Sequence, residues 1–402
     1  MATDHRGFQA LVGSSVAIFW PGAFIFGFPG VMAPYWGRSF GVGHGPIGAI
    51  MFFVLAAVGL FMFFVGKWQN RLGIRNLVSV GAVLCSANVL VLLIADSIWW
   101  IYLWAFINGA ASCFILLPTL TSVQQWFPQK RGLVSGIVNL MFGLSAAIMA
   151  PLFGILIERI GYFGMIGILG PISMLTGLVA VQFTAPPASL SIVKVPVLKT
   201  ANNVPKNETM TTLQIIKTRN FRLLWFTWAL QGAAGISMVT LSTGYGMARG
   251  YSLESAIFML TAFNLASGGS RLISGYLSDK IGRNVTMSLS FGFAALAYFC
   301  LPMINSLPML TLPAILIGFA FGTLFAVSAP LVTDCFGMIN FGAVFGLVFT
   351  AYGFVAGPLG ATLSGYLLDR MDGNYNVVFG YLGCFCAISA ALIWSVRPTA
   401  PE

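Results

Sequence analysis

Charged residues fall in clusters along this chain, and the uncharged intervals between them are as long as membrane spans. Residues 7–37, 45–66, 76–95, 97–129, 132–157 and 160–193 contain no Asp, Glu, Lys or Arg. After a polar segment the same holds for 223–248, 255–270, 284–333, 335–368 and 373–396. A helix needs about 20 apolar residues to cross the hydrocarbon layer. The interval 284–333 therefore holds two helices, broken at Asn305-Ser306-Leu307-Pro308, where Pro and Asn favour a turn. The interval 255–270 is short because Arg271 interrupts a helix that runs on to Tyr276. The pattern predicts an all-α membrane protein with twelve transmembrane helices in two six-helix halves. The first covers residues 1–184, a hydrophilic linker covers 185–215, and the second half covers 216–402. Met210–Arg222 reads as a short amphipathic lead-in on the membrane surface.

Composition identifies the solvent. Of 402 residues, 58% are hydrophobic and 7% charged, against about 25% charged in a soluble domain, so lipid must cover the apolar surface. The net charge of +10 forms no basic tract, which argues against a nucleic-acid partner and leaves membrane orientation as its use. Arg271 lies inside a span, and Arg38, Arg159, Arg249 and Arg370 fall on one face; the rest of the 20 Lys and Arg fall on the other, with both termini and the linker. That bias predicts cytoplasmic termini, and it keeps the sequon Asn207-Glu208-Thr209 inside and unglycosylated. The first span is too long for a removable signal and lacks a small-residue cleavage site. Of the six cysteines, Cys384 and Cys386 stand two apart on a helix and point away from each other, so neither a metal site nor a disulfide framework is implied. His5 and His44 lie outside the spans, and no acid pair or nucleophile–base set is visible. No catalysis, cofactor or metal is expected.

One turn occurs four times. Gly66-Lys67-Trp68-Gln69-Asn70-Arg71-Leu72-Gly73 recurs half a chain later as Gly275-Tyr276-Leu277-Ser278-Asp279-Lys280-Ile281-Gly282. Gly154-Ile155-Leu156-Ile157-Glu158-Arg159-Ile160-Gly161 recurs as Gly365-Tyr366-Leu367-Leu368-Asp369-Arg370. The shift makes the two halves duplicates. Copies within a half stand three spans apart, on opposite faces, so each half is two inverted three-helix units. The leading Gly lets helix backbones approach closely, and the trailing Gly permits positive φ where the helix stops. These residues resemble the major facilitator superfamily, whose loop between spans two and three reads Gly-x-x-x-Asp-Arg-x-Gly-Arg. The resemblance covers the whole chain and implies the major facilitator fold. It also implies a cytoplasmic latch between the halves, here Asn70, Arg71, Asp279, Lys280 and Arg283. Asn70 stands where the family has Asp, which makes the first latch less dependent on charge.

Arg271 lies two helical turns before Asp279, about 12 Å inside the cytoplasmic end at 1.5 Å per residue. A cation at that depth is expensive and needs an anion or a cavity. One reading has it snorkelling to the surface or pairing with Asp334; the other has it gripping a planar carboxylate bidentately. Trp126-Phe127-Pro128-Gln129-Lys130-Arg131-Gly132-Leu133-Val134-Ser135-Gly136 resembles the loop after span four in the oxalate:formate antiporter and monocarboxylate transporter families. Lys217-Thr218-Arg219-Asn220-Phe221-Arg222-Leu223-Leu224-Trp225 resembles the approach to their span seven, and Gly268-Gly269-Ser270-Arg271 with Ser278-Asp279-Lys280-Ile281-Gly282-Arg283 resembles their span eight. In those families the matching arginine binds the substrate carboxylate, and the resemblance implies that role for Arg271. Two departures matter. The oxalate carrier has a lysine on span eleven where this chain shows Tyr352, so a monoanion is favoured over oxalate. Proton-coupled animal carriers have an Asp one turn before the arginine and a Lys on span one. Here Ser267 takes the first place and Gly30 follows Phe28-Pro29, so co-transport of a proton stays open.

Gly and Pro interruptions in spans one, four, seven and ten mark moving, site-forming helices. Asn108, Asn139, Gln231 and Asn264 are mid-span polar residues that serve either as interhelical bonds or as ligands. Phe321, Phe325 and Tyr35 either wall a pocket or pack. Tyr352, Asn264, Asn108, Gln231, Phe325, Phe321 and Tyr35 thus join Arg271 as candidate substrate-binding residues. Arg38 and His44 in the first outer loop either steer anions or are merely solvated. The expectation is a monomeric secondary transporter of the plasma membrane. It moves a small monocarboxylate such as lactate, pyruvate, formate or acetate by alternating access. The alternatives are an oxalate/formate-type exchanger, an efflux transporter of apolar compounds with Arg271 structural, and a non-transporting sensor on the same fold.

Overall fold

The computed structural model describes residues 2–127, 131–184, 212–304 and 306–397, and their regular structure is helical throughout. The linker up to residue 211 with its sequon, residues 128–130 of the loop after span four, and Asn305 of the expected turn lie outside the described residues. Among them, eleven helical stretches are long and apolar enough to cross a membrane. One of these, Gly136–Val181, would extend about 69 Å as a single helix at 1.5 Å per residue, more than twice the hydrocarbon thickness. It is broken at Gly161, whose φ of 72° and ψ of 175° end one helix and start the next; only Gly takes that conformation cheaply. Counting it as spans 5 and 6 gives twelve. The others are span 1 (His5–Phe40), span 2 (His44–Leu72), span 3 (Ile74–Val91), span 4 (Ile98–Trp126), span 7 (Arg219–Ala248), span 8 (Leu253–Ile281), span 9 (Arg283–Met303), span 10 (Pro308–Phe336), span 11 (Val344–Arg370) and span 12 (Tyr375–Trp394). Both ends of the described chain lie on one face, called near; Gly161, Gly250 and Asp369 mark the far face.

The expected lead-in at Met210–Arg222 is divided. A helix of six residues, Thr212–Lys217, stops where Thr218 turns extended, and the Thr218 hydroxyl accepts from the Phe221 N–H to cap span 7. Span 7 therefore begins at Arg219, ahead of its apolar run.

Prolines shape the two spans that carry π-helical turns. Pro29 lacks an N–H and its ring crowds the carbonyl four residues back. The turn Ala23–Gly27 widens just before it, as π-bulges do where the regular ladder is blocked. Span 11 has two such turns, Tyr352–Ala356 and Pro358–Thr362, on either side of Gly357-Pro358. The first half is cored by Phe28, whose ring lies 5.1 Å from Phe153, 5.6 Å from Trp104 and 5.8 Å from Trp36.

Among the described residues, glycines bring three helix pairs of the two halves close together. Span 1 approaches span 7 where Gly30 abuts the Val239 carbonyl, and span 2 approaches span 11 where Gly48 abuts Ala361 and Gly59 abuts Gly353. Span 5 meets span 8 at Gly143, where a Cβ would stand 2.9 Å from the Gly268 Cα. That backbone-to-backbone contact positions the site.

Candidate functional site

Arg271 projects from span 8 toward span 5 and is 7% exposed. Its Nη1 donates to the Asn139 backbone carbonyl at 2.8 Å and lies 3.5 Å from the Asn139 Oδ1. The helix contact at Gly143 and Gly268 allows this, because it brings the span 5 backbone within reach of a side chain one turn away. The guanidinium carbon sits 5.9 Å from the Phe142 ring and 5.3 Å from the Phe325 ring, so two aromatic faces partly offset its desolvation. Asn139 and Phe142 are three residues apart and share one face of span 5. The Nε–H is buried and has no hydrogen-bond partner among the described residues.

Asp334 does not pair with Arg271. It accepts from the Arg283 Nε, while Arg283 also reaches Asp279 at 3.3 Å. The expected pairing of Arg271 with Asp334 is not made, because Arg283, at the start of span 9, holds that carboxylate.

Tyr352 opens the first π turn of span 11. Its ring centroid is 5.4 Å from Phe325, 5.6 Å from Trp228, 6.2 Å from Phe349 and 6.4 Å from Phe321. Its hydroxyl is buried and has no hydrogen-bond partner among the described residues. Arg271 and Tyr352 flank the same ring, Phe325. An unsatisfied guanidinium N–H and an unsatisfied phenol O–H thus share one aromatic-walled region between the halves. Leaving both unpaired costs about 1–3 kcal/mol each.

The other expected site residues separate into two groups. Phe321 and Phe325 belong to the region, with ring centroids 5.2 Å apart, and Asn264 borders it, its amide donating to the Phe26 carbonyl at 3.3 Å across the halves. Phe26 in turn packs on Phe142 and Phe321. Three residues are not brought to Arg271. Tyr35 stacks on Tyr162 at 4.5 Å near the far face. Asn108 faces span 3, accepting from the Cys85 thiol at 3.5 Å. Gln231 lies beside Cys386 of span 12, and both polar atoms of its amide are buried with no hydrogen-bond partner among the described residues. Helical periodicity gives a residue's depth, but not which neighbouring helix it faces.

Asn139, Phe142, Trp228 and Phe26 were not assigned to the site from sequence. Asn139 carried a signal as a mid-span polar residue, but its contribution is mainly a backbone carbonyl, which no side-chain pattern reveals. Of the latch residues, the side chain of Asn70 lies outside the described residues, and Arg71 is exposed. Lys280 sits over the Tyr276 ring at 4.6 Å. Asp279, Arg283 and Asp334 line a near-face cavity with Ser278 and Asn284, all within the second half. His44 is not in a loop: it begins the span 2 helix and bonds to Asp369.

Known proteins agree with this architecture. The oxalate:formate antiporter of Oxalobacter formigenes is 26% identical over 307 residues, covering 74% of this chain and 71% of its own. Monocarboxylate transporter 2 of Homo sapiens is 24% identical over 351 residues, covering 81% and 71%. An agnestins efflux protein of Paecilomyces divaricatus is 24% identical over 382 residues, covering 94% and 83%. Among solved structures, a bacterial homolog of the human lysosomal transporter Spinster, inward-facing and unoccupied, superposes with a TM-score of 0.70 at 14% identity, covering 97% of this chain and 94% of that one. The nucleoside transporter NupG gives 0.68 at 15% identity, covering 97% and 98%. The family model of the Major Facilitator Superfamily matches residues 15–359 and 250–402. With twelve spans, paired halves and a polar centre between them, the chain belongs to the Major Facilitator Superfamily and is a membrane transporter, not an enzyme.

Proposed function

We propose that this transporter carries a small monocarboxylate by alternating access, with Arg271 and Tyr352 holding the carboxylate between the two halves. The observation that carries the reading is a buried guanidinium that has no acidic partner among the described residues, beside a phenol that has no acceptor among them. A carboxylate neutralises the first and satisfies the second. The oxalate:formate and monocarboxylate relatives support the substrate class. One cation suits one carboxylate. A dianion would leave its second carboxylate desolvated against Phe321, Phe325 and Trp228, at a cost of several kcal/mol. The charge bias supports a near face in the cytoplasm.

Exchange is favoured over proton symport. Among the described residues Asp4, Asp96, Glu158, Glu254, Asp279, Asp334, Asp369 and Asp372 all lie outside the spans, at their ends or in turns. No carboxyl group in the interior is placed to carry a proton beside Arg271. An empty site holds an uncompensated cation, whereas the loaded site is neutral, so the carrier crosses more readily when loaded in both directions.

Proteoliposome uptake of labelled formate, acetate, lactate, pyruvate and oxalate tests both points. Rapid uptake of monocarboxylates into vesicles preloaded with one of them, and slow uptake into empty vesicles, is expected. Uptake driven by a pH gradient into empty vesicles would overturn exchange, and a preference for oxalate would overturn the monoanion site.

A further inference from the structure

The fourth copy of the repeated turn joins the halves. Asp369, at the end of span 11, reaches the first residues of span 2. Its Oδ1 accepts from the His44 backbone N–H at 2.7 Å and its Oδ2 from the Gly45 N–H at 2.7 Å, and the His44 Nδ1 lies 3.0 Å from Oδ1. The first N–H groups of a helix have no partner within it, and a carboxylate there is favoured both by hydrogen bonding and by the helix dipole. The capping side chain normally comes from the same helix; here it comes from the other half of the protein. The flanking residues make room for it. A Cβ on Gly43 would collide with the Asp369 carboxylate, one on Gly45 would stand 2.6 Å from the Tyr366 ring, and one on Gly365 would collide with the His44 carbonyl.

We propose that Asp369 is a far-face latch, its carboxylate seated on the N-terminus of span 2 to hold the two halves together when the site is closed to that face. The contact lies on the same side as the span 1 and span 7 approach at Gly30 and Val239. Opening the site to the far face separates both contacts, and only the latch has charge-assisted bonds to lose. Asp369 thus sets the balance between the two access states without touching substrate.

Hydrogen–deuterium exchange on the full chain in nanodiscs tests this. In Asp369→Ala, amides of residues 43–48 should exchange roughly tenfold faster, and those of residues 30–40 and 236–246, on the far-face halves of spans 1 and 7, should accelerate with them. Asp369→Asn, which keeps the shape and loses the charge, should fall in between and serves if the alanine variant does not fold. His44→Ala keeps both backbone donors and should change little. A rise confined to residues 43–48, no rise at all, or an equal rise in His44→Ala overturns the latch.

Discussion

Tyr352→Phe separates a ligand-binding hydroxyl from a structural one. The substitution keeps the ring and its packing on Phe325, Trp228, Phe349 and Phe321 and removes one oxygen. In the unloaded protein that oxygen is buried with no partner among the described residues. Removing an unsatisfied buried polar atom relieves a desolvation cost of about 1–3 kcal/mol, so the thermal midpoint of the empty protein should hold or rise. In the loaded protein the hydroxyl donates to a carboxylate, and a hydrogen bond to a charged group contributes about 1.5–3 kcal/mol. At 1.4 kcal/mol per factor of ten, affinity for a monocarboxylate should fall roughly tenfold to a hundredfold. The two effects have opposite signs. Thermal unfolding in detergent with and without saturating acetate or pyruvate reads both, and counterflow uptake supplies the affinity. A variant that is less stable when empty, yet binds substrate as tightly as the wild type, would refute the reasoning.

Three other substitutions extend the test. Tyr352→Lys adds a second buried cation, which should lower the stability of the empty protein by several kcal/mol and admit oxalate in counterflow; exclusion of oxalate by a folded variant counts against the one-cation account of selectivity. Gly143→Ala drives a methyl into the Gly268 backbone, so spans 5 and 8 should part, Asn139 should lose Arg271, and stability should drop by about 1–3 kcal/mol, read as a lower unfolding midpoint with reduced uptake. Gly235→Ala pushes on the Phe321 ring and should weaken binding more for pyruvate than for formate, because the ring borders the space beyond the carboxylate; equal losses for both would place Phe321 outside the site.

Charge-free intervals revealed the spans because the bilayer tolerates few charges, and that constraint acts on every residue of a span. The repeated turn made the duplication visible, and depth alone singled out Arg271. Facing was less legible. Asn108, Gln231 and Tyr35 have the right depth for a central site, yet they turn toward Cys85, Cys386 and Tyr162. Hydropathy cannot separate a polar residue bonding within a half from one facing the centre, since both are shielded from lipid. Asn139 was missed for a different reason: its carbonyl becomes a ligand for Arg271 only because Gly143 and Gly268 let two backbones touch. His44 read as a loop residue because its partner, Asp369, lies 325 residues away.

The central claim is that Arg271 binds the substrate anion, and equilibrium binding to purified protein tests it most directly. Titration of wild type and Arg271→Gln with labelled pyruvate, with folding checked by the unfolding midpoint, is the measurement. Saturable binding in the wild type, competed by acetate and formate and reduced at least about a hundredfold in the variant, is the predicted result. Arg271→Gln protein that is folded and binds pyruvate with wild-type affinity contradicts it.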